Sequence, residues 1–451
     1  MPSPRLPRRC IRYWISVALT AIGIFVVYFL NFVDWANRND DLDTTDWGIE
    51  GVASDSGDAD CAHLHGMDKI LVILKTGATE ALQKVPVQIE TTLRCVPHYV
   101  VLSDYEEDIA GVLARDSLST VSEETRRTNP DFGIYNRLRV SGREGLTASD
   151  WADEENGPYG KPGNPGWKLD KWKFVPMIDE ALLVKPDAEW YIFIEADSYV
   201  VWRNMVDWLS RLNPGKPHYL GAPMKMGSEV FGYGGAGIIL SNAAMLLVSR
   251  YRAENFTDVE RMTADDWAGD HVLGLILKDS GVPLVWSWPL LVPSRVWEFE
   301  YFSKENDRNP WCYPVASYHH MSPQDIQDMW LFEKQWLKFK RDSVLLHRDV
   351  FQWHVYDVIT SKKDDWDNFS SDNESERNAG DSPTTAGECA RKCSLLTDCL
   401  QFSFSEKGCL TSMKVAGGVH RPGYSSGWIT MRIKALLKNA RKCSNVQYIT
   451  A

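Results

Sequence analysis

The sequence lacks an excess of basic residues, and this absence excludes one class of partner at once. Of its 451 residues, 49 are Lys or Arg and 61 are Asp or Glu, so the formal net charge is −12. A nucleic-acid partner is not expected, because phosphate backbones are bound by basic surfaces. With 44% hydrophobic and 24% charged residues, the chain is also neither collagen-like nor wholly disordered. Its length suits two or three folded domains.

A second long uncharged apolar run is also missing, so at most one membrane span is expected. The first run, Tyr13 to Val33, would form a helix about 30 Å long, which matches a bilayer core. Arginines precede it and Asp34 follows, so the positive-inside rule places the N-terminus in the cytosol. A cleaved signal peptide is the alternative, but its apolar region would be shorter and a small-x-small site would follow. The sequence therefore predicts a cytosolic tail (1–12), an anchor (13–33) and a lumenal remainder.

The cysteines lack the paired CxxC spacing of most structural zinc sites, which favours disulfides over zinc. Cys10 falls on the cytosolic side, and an even number of cysteines remains for an oxidising lumen. These eight are Cys61, Cys95, Cys312, Cys389, Cys393, Cys399, Cys409 and Cys443. Sequons at Asn255, Asn368 and Asn373 could be glycosylated in the same compartment.

Buried strands alternating with helices predict one large α/β domain over residues 61–345. An acidic stem (34–60) precedes it, and a polar, mobile loop is expected over residues 120–168. A charged linker (346–380) leads to a small cysteine-rich segment (381–451) that would need disulfides to fold. The predicted strands are Lys69–Lys75, His98–Asp104, Trp190–Glu195 and Pro283–Ser287. The predicted helices are Glu80–Leu93, Lys171–Val184, Asn204–Leu212, Asn242–Arg252 and Gly269–Asp279.

Two acidic residues, Glu195 and Asp197, follow a predicted buried strand at spacing i, i+2. Ligands of open α/β sheets bind beyond the carboxyl ends of the strands, so these side chains are expected to line a site. Carboxylate oxygens suit Mn²⁺ or Mg²⁺ bridging a diphosphate. The glycine-rich segment Gly234–Gly237 is not a dinucleotide-binding GxGxxG. It is either a close approach of backbone to a sugar or a tight hairpin.

Ordered motifs between Lys69 and Glu333 resemble glycosyltransferase family 31, the Fringe and core 1 β-1,3-galactosyltransferase group. Ala188–Val200 is similar to that family's DADWFLKADDDTYV stretch, and the segment from Tyr219 to Ser241 to its YFG…SGGAGYVLS. Three further matches are Lys171 with the LKT lysine, Asp266–Gly274 with EDxxxG, and Ser317–Pro323 with the C-terminal FH motif. The family's middle acid is replaced here by Ala196.

The resemblance implies a GT-A type, Rossmann-like nucleotide-sugar transferase domain and a role for each matched residue. Asp197 and His319 would hold the metal, Mn²⁺ or Mg²⁺, and Asp270 would be the general base. The expected donor and substrate contacts are Lys171, Glu195, Gly234, Gly235, Ala236 and Gly237. Trp267, Trp297 and Trp311 lie near these motifs and either stack on an acceptor sugar or pack in the core.

The cysteine-rich segment has its own resemblance, to a PAN/apple domain, over about fifty residues from Cys389 to Ile433. This implies a binding module for a protein or carbohydrate ligand, with nested pairs Cys389–Cys409 and Cys393–Cys399. With that assignment, the other pairs become Cys61–Cys95 and Cys312–Cys443.

The resemblance implies a type II Golgi (or ER–Golgi) membrane enzyme that transfers a hexose from a UDP-sugar to a glycan with inversion. β-1,3-Galactosyl transfer to N-acetylgalactosamine of O-glycans is the leading expectation. The alternatives are a Fringe-like β-1,3-N-acetylglucosaminyltransferase and an inactive, sugar-binding or chaperone-like protein with the same fold.

Overall fold

The computed structural model describes residues 61–450, apart from 62–63, 152–160, 162, 306, 341–342, 372–382, 441 and 444. A mixed eight-stranded sheet dominates it, with strand order β11-β7-β10-β5-β1-β2-β4-β3. The central pairs β5–β1 and β1–β2 are parallel, whereas β10 runs antiparallel to both of its neighbours. These strands are β1 (Ile70–Lys75), β2 (Tyr99–Ser103), β3 (Glu107–Ile109), β4 (Val112–Asp116), β5 (Trp190–Glu195), β7 (Tyr219–Gly221), β10 (Ile238–Ser241) and β11 (Leu284–Trp286). The α/β class expected from the sequence is confirmed.

The sheet is buried on both faces, as the uninterrupted apolar run of β1 predicts. Alternate β1 residues, such as Val72 and Ile73, belong to two different hydrophobic clusters, one on each face. Strand β5, which lies beside β1 in the sheet, repeats the pattern, with Ile192 on one face and Phe193 on the other. The central strands are therefore fixed in register and hold their carboxyl ends at one rigid edge.

Helices cover both faces of this sheet. Those of the α/β layer are α1 (Ala81–Glu90), α2 (Glu123–Thr128), α3 (Gly133–Ser141), α4 (Pro165–Asp170), α5 (Pro176–Val184), α6 (Trp202–Leu209), α7 (Asn242–Glu254), α8 (Phe256–Asp265), α9 (Gly269–Asp279), α10 (Pro323–Phe339) and α11 (His347–His354). Two short antiparallel strand pairs complete the α/β layer. They are β6 (Tyr199–Val200) with β12 (Ser317–Tyr318), and β8 (Pro223–Met226) with β9 (Glu229–Gly232).

The prediction of a loop over residues 120–168 is wrong for the described part of that range, where α2, α3 and the start of α4 lie. Two of these short helices are capped at their N-terminus by a side chain. Ser122 accepts a hydrogen bond from the Thr125 amide, and Asn164 accepts one from the Trp167 amide. Such caps stabilise helices too polar to show an apolar stripe.

A second, four-stranded sheet lies in the cysteine-rich part of the chain. Its order is β13-β16-β14-β15, with α12 between β13 and β14 and α13 after β16. Their bounds are β13 (Lys363–Asp367), α12 (Ala386–Leu395), β14 (Gln401–Ser405), β15 (Gly408–Ser412), β16 (Val419–Trp428) and α13 (Thr430–Asn439). The linker predicted over 346–380 therefore contains α11 and β13. The charged sequence of β13 is that of an edge strand, whose outward side chains meet water.

Four disulfides join Cys61 to Cys95, Cys312 to Cys443, Cys389 to Cys409 and Cys393 to Cys399. These are the pairs that the sequence analysis stated. Beyond the Cys312–Cys443 bond the chain returns to the α/β layer. Ile449 is buried in the cluster on one face of the large sheet, and its carbonyl accepts a hydrogen bond from Trp208.

One predicted glycosylation site is excluded by burial. Asn368 has no exposed surface, and its amide nitrogen donates to the carbonyls of Phe402 and Gly427. Asn255 is half-buried, with its amide donating to the Tyr251 carbonyl. Asn373 lies outside the described residues.

The predicted single-pass membrane topology is contradicted. In the part of the chain that the structure describes, every helix is too short or too polar to cross a bilayer. The Golgi-membrane localisation depended on that topology and is withdrawn with it. The tail, anchor and stem assigned to residues 1–60 lie outside the described residues.

Candidate active site

The site begins where β1 and β5 end side by side. Lys75 and Glu195 are register partners in the parallel pair, and the Lys75 ammonium lies 3.1 Å from Glu195 Oε1. It also contacts the Asp170 carboxylate at the end of α4. Burial opposes the ionisation of Glu195, but Lys75 and His319 outweigh it and lower the pKa of Glu195 to about 2. The strand ends therefore hold an ionised carboxylate on a buried ammonium.

Ala196, between Glu195 and Asp197, lies in the core rather than in the site. Its side chain has no exposed surface and belongs to the hydrophobic cluster on one face of the sheet. A carboxylate at this position would point into that cluster rather than toward Asp197.

Asp197 lies beside two consecutive histidines that follow β12. One potential ligand atom each from Asp197, His319 and His320 lies within 4.8 Å of the others. The Met321 amide donates to the Asp197 carbonyl at 2.8 Å, so the backbones of the two segments are joined directly. The structure brings together the two predicted ligands, Asp197 and His319, and adds His320.

His319 fits the requirements of a metal ligand. It is 3% exposed, and its Nδ1 has no hydrogen-bond partner among the described residues. Its Nε2 lies 3.1 Å from Asp197 Oδ1. Two ligands about 2.1 Å from one ion in an octahedral arrangement are separated by about 3 Å. Nε2 also lies 3.5 Å from Glu195 Oε2, and a cation bound beside these carboxylates could take the place of the imidazole proton.

The protonation states show what the site holds when no cation is bound. Burial lowers the pKa of His319, but Asp197 and Glu195 outweigh it and raise the value to about 9. Burial alone would raise the pKa of Asp197, yet His319 and Lys84 hold it well below its ordinary range. A metal ion would therefore displace a proton from His319.

Lys84 is the second cation of the site and was not predicted. It lies on α1, with its ammonium 3.1 Å from Asp197 Oδ2 and 2.7 Å from Glu80 Oε2. The ammonium of Lys171, a predicted donor contact, lies 3.0 Å from Asp131 Oδ2. Lys171 donates to the carbonyls of Ala264 and Asp266 and thereby holds the segment before α9. The strand-end rule that identified Glu195 could have identified Lys75, whereas no sequence signal marks Lys84.

The glycine-rich segment separates the metal-ligand group from Asp270. The Gly234 amide donates to Asp270 Oδ2 at 2.8 Å. A Cβ on Gly235 would lie 2.1 Å from the His319 ring. Ser198, just before β6, and Ser317, on β12, donate to the carbonyls of Gly235 and Ala236, which fixes this turn against the β6–β12 pair. Consecutive residues of one turn thus contact Asp270 on one side and His319 on the other.

Asp270 occupies the first turn of α9 and is buried. Burial is the main cause that raises its pKa, to about 6, and the nearby Glu195 charge adds to the shift. Hydrogen bonds from the amides of Gly234 and His271 act in the opposite direction. A carboxyl group with a pKa close to neutrality can accept a proton near pH 7 and release it afterwards.

Of the three tryptophans proposed near the motifs, Trp267 lies on the segment leading to Asp270. It is half-buried and stacks on Trp167, with ring centroids 6.0 Å apart. Trp311 stacks on Phe302, and Trp297 packs against His354.

Comparison with known proteins does not assign this chain to a family. No family model matches the chain, and no curated protein matches its sequence.

Proposed function

We propose that this chain is an inverting, metal-dependent glycosyltransferase that moves a hexose from a UDP-sugar to a hydroxyl group of a glycan. The observation that carries the proposal is the pairing of Asp270 with the Asp197–His319–His320 group across consecutive glycines. Sugar transfer with inversion needs this combination, a base for the acceptor and positive charge for the departing diphosphate. The motif order supports the same chemistry, with β-1,3-galactosyl transfer to N-acetylgalactosamine as its most specific form.

In this mechanism Asp270 accepts the proton of the acceptor hydroxyl. The hydroxyl oxygen then forms a bond to the anomeric carbon, while the bond from that carbon to the UDP oxygen breaks. Attack from the face opposite the leaving group inverts the anomeric configuration. Because Asp270 is held by two backbone amides, its position relative to the sugar is fixed before substrate binds.

The protein's own cations stand on the leaving-group side. Lys84 contacts Asp197, and Lys75 contacts Glu195. Their ammonium groups offset the carboxylates that line the site, so that an anionic diphosphate is not repelled. A divalent cation held by Asp197 and the histidines supplies, when bound, further stabilisation of negative charge on the diphosphate.

The test is UDP release by the full chain from a panel of UDP-sugars with glycan acceptors. We expect release with one UDP-sugar in Mn²⁺ and loss of release in EDTA. Asp270→Asn should keep UDP-sugar binding and reduce turnover by about 10²–10⁴, the usual contribution of a positioned base. Asp265→Asn changes an exposed carboxylate five residues away and is the matched control. UDP-sugar binding without release from any donor would instead identify a non-catalytic sugar-binding protein.

A further inference from the structure

His320 has a backbone conformation that requires an explanation. Its φ is +59°, in the left-handed region that residues with a side chain rarely adopt. Neighbouring side chains in extended backbone point in opposite directions. Here the rings of His319 and His320 lie on the same side, with centroids 3.9 Å apart. The unusual φ thus turns the second imidazole toward the first.

The surrounding backbone holds the histidines in this arrangement. The His319 amide donates to the Ser294 carbonyl, and Arg295 Nε donates to the His320 carbonyl at 2.8 Å. The Met321 amide donates to the Asp197 carbonyl. Strained residues persist where the surrounding structure overdetermines them, and they are concentrated at functional sites.

The position of the His320 ring suits a ligand, because one of its nitrogens belongs to the group of potential ligand atoms that lie within 4.8 Å of one another. The Tyr233 hydroxyl lies 3.5 Å from His320 Nε2, which is too distant for a strong hydrogen bond. An imidazole facing His319 and Asp197 is able to donate a lone pair to a cation.

We infer that His320 is a third protein ligand and that the resulting site, with two imidazoles and one carboxylate, selects transition-metal dications over Mg²⁺ and Ca²⁺. Imidazole nitrogen suits Zn²⁺, Ni²⁺ and Cu²⁺, and the affinity of a nitrogen-containing site rises from Mn²⁺ through Co²⁺ to Cu²⁺, whereas Mg²⁺ and Ca²⁺ prefer all-oxygen coordination. The inference deepens the metal site of the proposed function, but it requires only metal binding and no sugar transfer.

The test measures binding of each metal alone to the full chain after EDTA treatment and dialysis. Isothermal titration calorimetry should show Mn²⁺ and Co²⁺ binding at least about tenfold more tightly than Mg²⁺. Pulsed electron paramagnetic resonance of bound Mn²⁺ should show nitrogen coupling from two imidazoles.

Two variants separate the loss of a ligand from the loss of the fold. His320→Asn offers an amide oxygen and tolerates the left-handed backbone, and His320→Gly removes the ligand without strain. Both should bind Mn²⁺ at least about tenfold more weakly and show one coupled imidazole, because a ligand matters at least as much as its supporting partners. Their metal-free melting temperatures should not fall. His98→Asn, at an exposed histidine, is the control.

Either of two results would overturn the inference: equal affinity of the wild type for Mg²⁺ and Mn²⁺, or unchanged Mn²⁺ affinity and nitrogen coupling in both His320 variants. Two-imidazole Mn²⁺ binding without UDP release would leave this inference standing and defeat the transferase proposal.

Discussion

At the scale of single residues, the site depends on the absence of a side chain at Gly235. A Cβ there would lie 2.1 Å from the His319 ring, far inside contact distance. We therefore predict that Gly235→Ala displaces His319 and weakens Mn²⁺ binding at least about tenfold, as the loss of ligand orientation does in other metal sites. Calorimetric titration of the metal-free protein measures this.

Gly133→Ala is the matched control for that substitution. Its Cβ would meet one atom of the flexible Arg137 side chain at 3.8 Å, an ordinary contact. Mn²⁺ affinity should be unchanged in this variant. A Gly235→Ala protein that binds Mn²⁺ like the wild type would show that His319 is not a ligand in the observed position.

The raised pKa of Asp270 predicts a pH dependence with a definite sign. The base must be ionised to accept a proton, and burial raises its pKa to about 6. Activity should therefore be constant at pH 7–8 and fall as the pH drops through about 6, by about tenfold per pH unit below it. The measurement is kcat/KM against pH at saturating Mn²⁺. A profile that stays flat down to pH 5 would contradict the role of Asp270.

At the scale of secondary-structure elements, α10 begins directly after the histidines and has its own start signal. Ser322 Oγ accepts from the Asp325 amide, and Asp325 accepts from the Ser322 amide, which forms a capping box. Ser322→Ala should lower the free energy of unfolding by about 1 kcal/mol. Chemical denaturation measures this loss.

Metal affinity should change little in the same variant, because Ser294, Arg295 and Asp197 fix the histidine backbone independently of the cap. Gln324→Ala, at an exposed position of the same turn, is the stability control. A large loss of Mn²⁺ affinity in Ser322→Ala would mean that the start of α10, rather than these contacts, positions His320.

The elements differ in how well the sequence predicts them, and the reason is physical. Strands β1 and β5 are buried on both faces, so nearly all of their residues are apolar. Such a continuous apolar run is easy to recognise in the sequence. The opposite case is β13, an edge strand whose charged side chains are typical of a linker. Short capped helices such as α2 depend on one hydrogen bond to a side chain and leave only a weak signal.

The residues of the candidate site also differ in how well the sequence predicts them. Asp197, His319 and Asp270 follow from ordered motifs, and the structure places them around one turn. His320 depends on a positive φ that no residue pattern specifies, and Lys84 depends on how α1 packs against the strand ends. The predicted contact of Lys171 with the donor stays a prediction; in the structure its ammonium contacts carbonyls of the segment before α9.

At the scale of the whole molecule, the α/β layer includes residues far along the chain. Ile449 is buried in the cluster that also contains Val72 and Ile192. Ile449→Ala should therefore reduce the free energy of unfolding by about 2–5 kcal/mol, the usual cost of such a cavity. Val446, which is 37% exposed, provides the control, and Val446→Ala should stay within about 0.5 kcal/mol of the wild type. Equal effects would mean that the segment does not pack on the sheet in solution.

The bond between Cys312 and Cys443 makes the four-stranded region an insertion within the α/β layer, not an appendage to it. A protease that cuts once anywhere between residues 313 and 442 therefore leaves two pieces that remain covalently joined. The nicked protein would migrate as one species on a non-reducing gel and separate only after reduction. An engineer who wishes to remove the four-stranded region must excise it as an internal loop and rejoin the flanking chain, because shortening the chain from residue 450 backwards would take Ile449 out of the core first.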